Sequence, residues 1–223
     1  DELVGQGIHL PNHGEYGVGF IFFPTEKGVK AECKEIFASA AEKLGIEILG
    51  YRTVPVKKDT IGPTALSVEP DMEQVFVKRP DHITDADDFE RKLFILKNYA
   101  SHTINNKIKK GTIDFYMTSL SQNVIVYKGQ LTSHQVREYF PDLSDKRVVS
   151  AFGLVHSRFA TNTFPSWKLA QPFRYIAHNG EINTLQGNLN WLRSNESSFF
   201  SPYFSKEELD MILPVVTAGQ SDS

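Results

Sequence analysis

Strand-type and helix-type patterns follow one another in an irregular order along this chain, and that order restricts the possible folds more than any other feature. Neighbouring strand patterns, such as residues 113–120 and 124–127, are separated by a short polar stretch, which predicts a hairpin. Regular βαβ crossovers are not indicated. Hairpin-joined strands form antiparallel sheets, and the intervening helices cover their faces. We therefore predict an α+β fold with helices covering largely antiparallel sheets.

Two amphipathic stretches define the main predicted helices. Residues 29–44 place apolar side chains at helical spacing, and Cys33 lies on that apolar face. Thr84 and Asp85 precede a longer stretch and are candidate N-caps; its apolar face consists of Phe89, Leu93, Leu96, Ala100 and Ile104. The remaining predicted elements are strands at 16–23, 47–56, 73–78, 148–155 and 173–177, and helices at 183–194 and 205–213.

Composition excludes several classes of function. The net charge of −3 provides no basic surface for nucleic acid, and no apolar run reaches membrane-spanning length. Cys33 is the single cysteine, so no internal disulfide is possible, and a cytoplasmic location is predicted. Because Cys33 lies on the apolar face of a helix, we interpret it as a buried hydrophobic residue and not as a nucleophile. His9 and His13 lack a third ligand, so no metal site is predicted there.

Three polar elements in the last third of the chain are candidates for ligand recognition. Arg158 follows a predicted strand, and its guanidinium suits either a ligand carboxylate or a structural salt bridge. Asn179-Gly180 is typical of a turn, but an Asn amide and a Gly N–H also suit an oxyanion hole. Asp222 would bind an ammonium group or cap a helix. Together they describe recognition of an amino acid whose side-chain carbonyl is attacked.

A long motif in the same region resembles the glutaminase domain of glutamate synthase large subunits. It comprises HSRFATNT at 156–163, Pro165, Trp167, LAQPFRYIAHNGEINT at 169–184 and QSDS at 220–223. Residues 16–20 (YGVGF) and the predicted hairpin at 114–128 are also similar to that family. The resemblance covers residues 1–223 as one class II glutamine amidotransferase domain.

The resemblance implies a fold and a reaction. The family has the four-layer αββα sandwich of N-terminal-nucleophile hydrolases. Its mature N-terminal cysteine attacks the glutamine amide, with its own α-amino group as the base, and glutamate and ammonia are released. The ammonia reaches an FMN-containing domain, where it meets 2-oxoglutarate. An iron–sulfur cluster and a small electron-donating subunit are implied for the full-length enzyme, outside this chain.

By the same resemblance, Arg158 would bind the glutamine α-carboxylate and Asp222 the α-ammonium group. Asn179 and Gly180 would form the oxyanion hole, and Thr161 would line the substrate pocket. The family's Cys-Gly start is not in this sequence. We therefore expect a piece that is incomplete at both ends, lacks its nucleophile and is inactive alone, with glutamine as the ligand and the downstream synthase domains as partners.

Two alternative functions are also considered. The chain could be the glutaminase domain of another class II amidotransferase, such as a sugar-phosphate or phosphoribosyl-diphosphate enzyme. Those enzymes resemble it only around the Arg and Asn-Gly motifs, whereas the long run at 169–184 favours glutamate synthase. It could also be a non-catalytic homologue that binds glutamine or a protein partner.

Overall fold

A computed structural model of the chain describes residues 2–108, 113–159, 164–173, 176 and 185–216. The strands are β1 (Tyr16–Phe23), β2 (Ile48–Thr53), β3 (Asp71–Lys78) and β4 (Tyr116–Ser121). The α-helices are α1 (Glu2–Gly5), α2 (Lys27–Lys43), α3 (Pro63–Ser67), α4 (Ala86–Lys107), α5 (Ser133–Tyr139), α6 (Leu185–Asn195) and α7 (Lys206–Ile212). Short 3-10 helices occur at Lys58–Thr60, Pro141–Ser144 and Glu196–Ser198.

The four strands form one antiparallel sheet in the order β2-β3-β1-β4. β1 is central and pairs with β3 along its whole length, from Tyr16 opposite Lys78 to Phe23 opposite Asp71. The last four residues of β1, 20–23, are buried on both faces, as expected of a central strand that is covered on each side. The predicted α+β class is confirmed.

Helices α2 and α4 cover one face of this sheet. The apolar faces predicted from helical periodicity are confirmed, because Cys33 and Phe37 of α2 and Phe89 and Leu93 of α4 are fully buried in one cluster. Asp85 is the N-cap of α4, and its Oδ1 accepts a hydrogen bond of 3.0 Å from the backbone N–H of Asp88. Such a cap stabilises a helix by about 1 kcal/mol. Within the described ranges, no helix combines the length and the apolar character needed to cross a membrane.

An aromatic cluster occupies the other face of the sheet. Phe20 and Phe22 of β1 pack there against Tyr139, Phe140 and Trp167, most of them in edge-to-face contacts. The indole Nε1–H of Trp167 donates to the carbonyl oxygen of Ala65 at 3.0 Å, which satisfies its buried polar atom. This face is therefore covered by short helices and irregular segments instead of long helices.

The approach of Trp167 to the chain at residue 129 requires glycine. A Cβ atom on Gly129 would lie 2.4 Å from Cζ3 of the Trp167 ring, well inside van der Waals contact. Both atoms belong to rigid groups, so neither has room to move aside. Gly129 thus allows the segment containing Trp167 to pack directly on the chain that follows β4.

The predicted strand at 148–155 is wrong. These residues are irregular, and their apolar side chains are exposed, with Val149 and Val155 each 85% and Phe152 73% accessible. A strand needs a neighbour to receive its backbone hydrogen bonds, and no strand in the described part of the chain pairs with this run. Apolar, β-branched composition alone is therefore insufficient to form a strand.

The prediction of a second hairpin strand at 124–127 is also wrong. Residues 124–127 form no ladder with β4, although they run beside it. The N–H of Val126 donates to Ser119 Oγ at 3.1 Å, and its carbonyl accepts from Thr118 Oγ1 at 2.8 Å. Side-chain hydroxyls of β4 thus replace the backbone groups that a ladder would use. Of the predicted strand at 173–177, Phe173 and Ile176 are described and form an isolated antiparallel bridge.

A buried arginine links several parts of the sheet's aromatic side. The Arg52 guanidinium of β2 bonds to the carboxylates of Glu2 in α1 and Asp142, and to Gln74 Oε1 in β3. Tyr127 donates its hydroxyl to the same Asp142 carboxylate at 2.8 Å. The Arg52 guanidinium thus connects α1, β2 and β3 to the 3-10 helix at Pro141–Ser144.

Candidate functional site

The described residues include one of the five predicted site residues. Arg158 belongs to them, whereas Thr161, Asn179, Gly180 and Asp222 lie outside the described residues.

Arg158 lies at the end of the exposed run 148–155 and is itself exposed. Its backbone N–H donates to Nδ1 of His156 at 3.3 Å. No carboxylate among the described residues forms an ion pair with its guanidinium. Arg158 is exposed as a residue, and its guanidinium carries five N–H donors in a planar fork that suits a carboxylate ligand in a bidentate arrangement.

The segment at residues 164–173 leads toward the Asn179-Gly180 pair and is fixed against the sheet at two points. Trp167 is the first point: its ring lies 5.5 Å from that of Tyr139 and 6.2 Å from that of Phe22. At the surface, the Lys168 ammonium forms an ion pair with Asp114. The second point is the side chain of Lys128.

Lys128 is a buried amine, only 2% exposed, immediately after the run 124–127. Its Nζ donates to the carbonyl oxygen of Lys168 at 2.8 Å and lies 3.2 Å from the hydroxyl of Tyr116 in β4. The same nitrogen lies 4.3 Å from the centroid of the Phe173 ring and 4.7 Å from that of Tyr116. One side chain thus contacts both ends of the segment 168–173 and connects them to β4.

The surroundings of Lys128 disfavour its charge. Burial, and then the positive charge of Lys97, hold the pKa of the Lys128 amine well below the usual lysine value. No carboxylate in the described ranges is within ion-pair distance of it. Burial also raises the pKa of Tyr116, so that its hydroxyl stays protonated. A neutral amine and an ammonium both carry N–H groups, so the bond to Lys168 forms in either state.

Sequence reasoning missed Lys128, because a lysine is assigned to the surface unless a partner is evident. The available signal was its position: a single lysine that directly follows the apolar and aromatic residues Val124, Ile125, Val126 and Tyr127 and precedes Gly129.

Cys33 is fully buried, as predicted. Burial, followed by the charge of Glu32, raises the pKa of its thiol to about 11. A protonated, inaccessible thiol is a poor nucleophile, because the thiolate is the reactive form. Cys33 therefore packs as a small apolar residue on the buried face of α2.

A groove between α2 and α4 contains none of the predicted site residues. It measures about 280 Å³ and is lined by Glu35, Ser39, Lys43, Tyr99, Thr103 and Lys107, among others. Lys43 is also engaged, because its Nζ bonds to the Tyr99 hydroxyl at 3.1 Å. In the described part of the chain, no group of three His, Cys, Asp or Glu residues could hold a metal ion.

Comparison with known proteins places the whole chain in one family. The class-II glutamine amidotransferases match residues 1–223. The NADPH glutamate synthase large chain of Bacillus subtilis is 45% identical over 218 residues, which is 98% of this chain and 14% of that protein. The NADH glutamate synthase of Schizosaccharomyces pombe is 47% identical over 222 residues, covering 97% of this chain and 10% of that protein.

The name of a plant relative specifies ferredoxin in place of NADPH or NADH. The chloroplastic ferredoxin-dependent glutamate synthase 2 of Arabidopsis thaliana is 41% identical over 220 residues, covering 98% of this chain and 13% of that protein. The chain thus spans between a tenth and a seventh of the length of these curated relatives.

Proposed function

The chain belongs to the class-II glutamine amidotransferase family, and from this premise we propose that it is the glutaminase domain of a glutamate synthase. In this proposal the complete enzyme hydrolyses glutamine to glutamate and ammonia, and transfers the ammonia to 2-oxoglutarate for reductive formation of a second glutamate. The observation that carries the proposal is the 41–47% identity to glutamate synthases over nearly the whole chain.

Substrate recognition is assigned to the charged residues of the motif. Arg158 binds the α-carboxylate of glutamine, Asp222 binds its α-ammonium group, and Thr161 lines the pocket. The exposure of Arg158, whose guanidinium has no carboxylate partner among the described residues, supports the first role over a structural salt bridge. A bidentate arginine–carboxylate pair fixes both position and orientation of the bound amino acid.

The reaction proceeds through an attack on the side-chain amide of glutamine. A thiolate adds to the amide carbon, and the developing oxyanion accepts hydrogen bonds from the Asn179 side-chain amide and the Gly180 backbone N–H. The tetrahedral intermediate expels ammonia, which takes the proton from the general base, and leaves a thioester. Water then hydrolyses the thioester to glutamate and restores the thiol.

The attacking thiol is assigned to a cysteine outside these 223 residues. The sequence contains only Cys33, and that thiol is fully buried with a pKa raised to about 11. We therefore propose that the 223-residue chain alone does not hydrolyse glutamine.

The cofactors of a glutamate synthase are assigned to other parts of the enzyme. An iron–sulfur cluster requires several cysteine ligands, and this chain has one, so its residues do not fit the cluster. FMN is likewise assigned to the synthase domain, where ammonia meets 2-oxoglutarate. The partners of this chain in the proposal are those domains and an electron-donating subunit.

Within the α+β class, the architecture proposed for the complete domain is the four-layer αββα sandwich of N-terminal-nucleophile hydrolases. In this proposal, the helices α2 and α4 would form one of those layers and the antiparallel sheet that they cover would form another. A second sheet would pack on the side of Phe20 and Phe22, where the described residues form an aromatic face.

Isotope transfer in the full-length gene product tests this function. Glutamine labelled with ¹⁵N in its amide is supplied with 2-oxoglutarate and each candidate reductant (NADPH, NADH or reduced ferredoxin). The expected result is one unlabelled glutamate from glutamine and one glutamate with ¹⁵N in its α-amino group. Glutamine binding without ammonia release would support the non-catalytic homologue. Release of ¹⁵N-ammonia that is not incorporated into glutamate with any of the reductants would favour another class II amidotransferase.

A further inference from the structure

The amine of Lys128 is not explained by the stability of the fold. Burying an amine without a carboxylate costs free energy, whereas a methionine of similar length would fill the same space without that cost. The Lys128 amine contacts the hydroxyl of Tyr116 in β4, the carbonyl oxygen of Lys168 and the ring of Phe173. The N–H groups therefore serve a contact between the sheet and the segment 168–173.

That segment lies directly upstream of the residues assigned to the oxyanion hole. The carbonyl oxygen of Phe173, at the end of the segment, accepts a hydrogen bond of 2.8 Å from the N–H of Ile176. Asn179 follows three residues after Ile176 in the sequence. Oxyanion-hole donors lower the barrier only when they are held at the correct place before reaction. An error in the path of the preceding segment displaces such donors, and misplacement by about 1 Å can cost roughly 100-fold in rate.

We propose that Lys128 is a positioning residue for glutamine hydrolysis, because its amine fixes the segment 168–173, which precedes Asn179-Gly180 in the sequence, against β4. The inference rests on the proposed function. Lys128 does not contact Arg158, which lies in a different segment, so its loss changes turnover more than glutamine binding. Trp167 fixes the upstream side of the segment by packing, and Lys128 fixes the downstream side by hydrogen bonding.

The test compares Lys128→Met with Lys168→Met in the full-length gene product. The Lys128 variant keeps the apolar stem and removes the N–H donors. The Lys168 variant is a matched control, since it removes an amine from the same segment but keeps the backbone carbonyl that Lys128 contacts. For Lys128→Met, kcat for ammonia release from glutamine should fall about 10- to 100-fold. The KM for glutamine should stay within about twofold, since ground-state binding is unchanged. Lys168→Met should match the wild type.

Ammonia-dependent glutamate synthesis, which bypasses glutamine, separates positioning from general damage. It should persist in Lys128→Met. A wild-type kcat in this variant, or an equal loss of both activities, would overturn the inference. A wild-type protein that releases no ammonia would instead overturn the proposed function, so the two failures are distinguishable.

A second variant keeps the inference testable where Lys128→Met does not fold. Tyr116→Phe removes the hydroxyl 3.2 Å from the amine and retains the ring. It should lower kcat several-fold at constant KM, and it should accelerate amide hydrogen exchange in the peptides that cover 167–173. Unchanged kcat and unchanged exchange would contradict the role of this contact.

Discussion

Arg52 and Asp142 face each other as a bidentate pair, with Nη1 2.7 Å from Oδ2 and Nη2 2.8 Å from Oδ1. The pair joins β2 to the 3-10 helix at Pro141–Ser144 and is largely buried. Burial by itself would raise the pKa of Asp142, but the hydrogen bonds from Arg52 and Tyr127 outweigh it and lower the pKa. The carboxylate therefore stabilises the folded state in its ionised form.

Replacing Asp142 by Asn should destabilise the protein by about 1–3 kcal/mol at pH 7, because Arg52 loses a buried charged acceptor. A depressed folded-state pKa gives stability that is present above the unfolded value of about 3.9 and is lost as pH falls through the folded value. The variant should consequently lose less additional stability in acid than the wild type. Urea unfolding at pH 7 and pH 3 measures both effects. Asp145→Asn, which breaks an exposed pair with Arg147, is the control and should leave the pH 7 midpoint nearly unchanged.

Cys33 should react with a thiol reagent only when the protein unfolds. The thiol is fully buried and its pKa is raised to about 11, so it is protonated and inaccessible at pH 8. Cys33→Ser should lower the free energy of unfolding by about 1–3 kcal/mol, because it buries a hydroxyl without a hydrogen-bond partner. Cys33→Ala should leave the glutaminase kcat of the full-length gene product unchanged. Labelling with and without guanidinium, and kcat for the Ala variant, check these expectations. Rapid labelling of the folded protein would show that the site opens.

Lys128→Met should be more stable than the wild type at neutral pH. The folded-state pKa of Lys128 is lowered, so between that value and the unfolded value of about 10.4 the unfolded chain binds more protons. Burial of Lys128 therefore lowers the free energy of unfolding by its largest amount below the folded-state pKa. This destabilisation diminishes as pH rises from the folded-state pKa toward the unfolded-state pKa. The stability difference between variant and wild type should shrink over that range in denaturant titrations at pH 7, 8, 9 and 10. A difference that grows with pH would show that the amine is stabilised in its charged form.

Arg158→Lys should raise the glutamine KM of the full-length gene product about tenfold or more. Lysine keeps the charge but lacks the planar fork, and a tenfold loss corresponds to about 1.4 kcal/mol of binding free energy. Ammonia-dependent synthesis should persist, because it does not use the glutamine site. Arg147→Lys, in the same exposed stretch, is the control and should keep the wild-type KM. Parallel loss of both activities in the Arg158 variant would assign Arg158 a structural role.

Asn179→Asp should lower glutaminase kcat at least about 10²- to 10³-fold, the usual cost of losing one oxyanion-hole donor. The added negative charge also repels the developing oxyanion, while glutamine binding survives better because the lost bond matters chiefly in the transition state. Asn179→Ala separates donor loss from repulsion, and thermal melts verify folding. A folded Asp variant that keeps more than about a third of wild-type kcat would reduce Asn179 to a turn residue, since Asp also tolerates turn conformations.

Sequence patterns correctly predict the elements that are determined by residues close together in the sequence, such as the helix α4. The periodicity of α4 and the capping position of Asp85 are properties of a single helix, so sequence alone identifies which residues are buried. The runs 148–155 and 124–127 were predicted as strands because their composition is apolar and β-branched. A ladder depends on a partner that composition does not specify. In the second run, hydroxyls of Thr118 and Ser119 took the place of that partner.

The candidate site was predicted from residue types, and its motif led to the family now shown by comparison. Arg158 is the one predicted ligand-binding residue among the described residues. Lys128 was not predicted, because its importance comes from contacts across 40 residues of sequence with the Lys168 carbonyl. The apolar residues before Lys128 and the glycine after it are compatible with burial, but they do not identify the Lys168 carbonyl as its partner.

The exposed run 148–155 also bears on the solubility of the protein. It combines Val148, Val149, Phe152, Leu154 and Val155 without a charge or a proline, which is the composition of segments that assemble into intermolecular β-structure. Lys146 and Arg147 precede it and Arg158 follows it, and such flanking cations act as gatekeepers that repel a second copy. Arg158 would then oppose aggregation as well as bind glutamine. A neutral substitution at this position would mix the two effects, whereas lysine preserves the repulsion and changes only the recognition of the carboxylate.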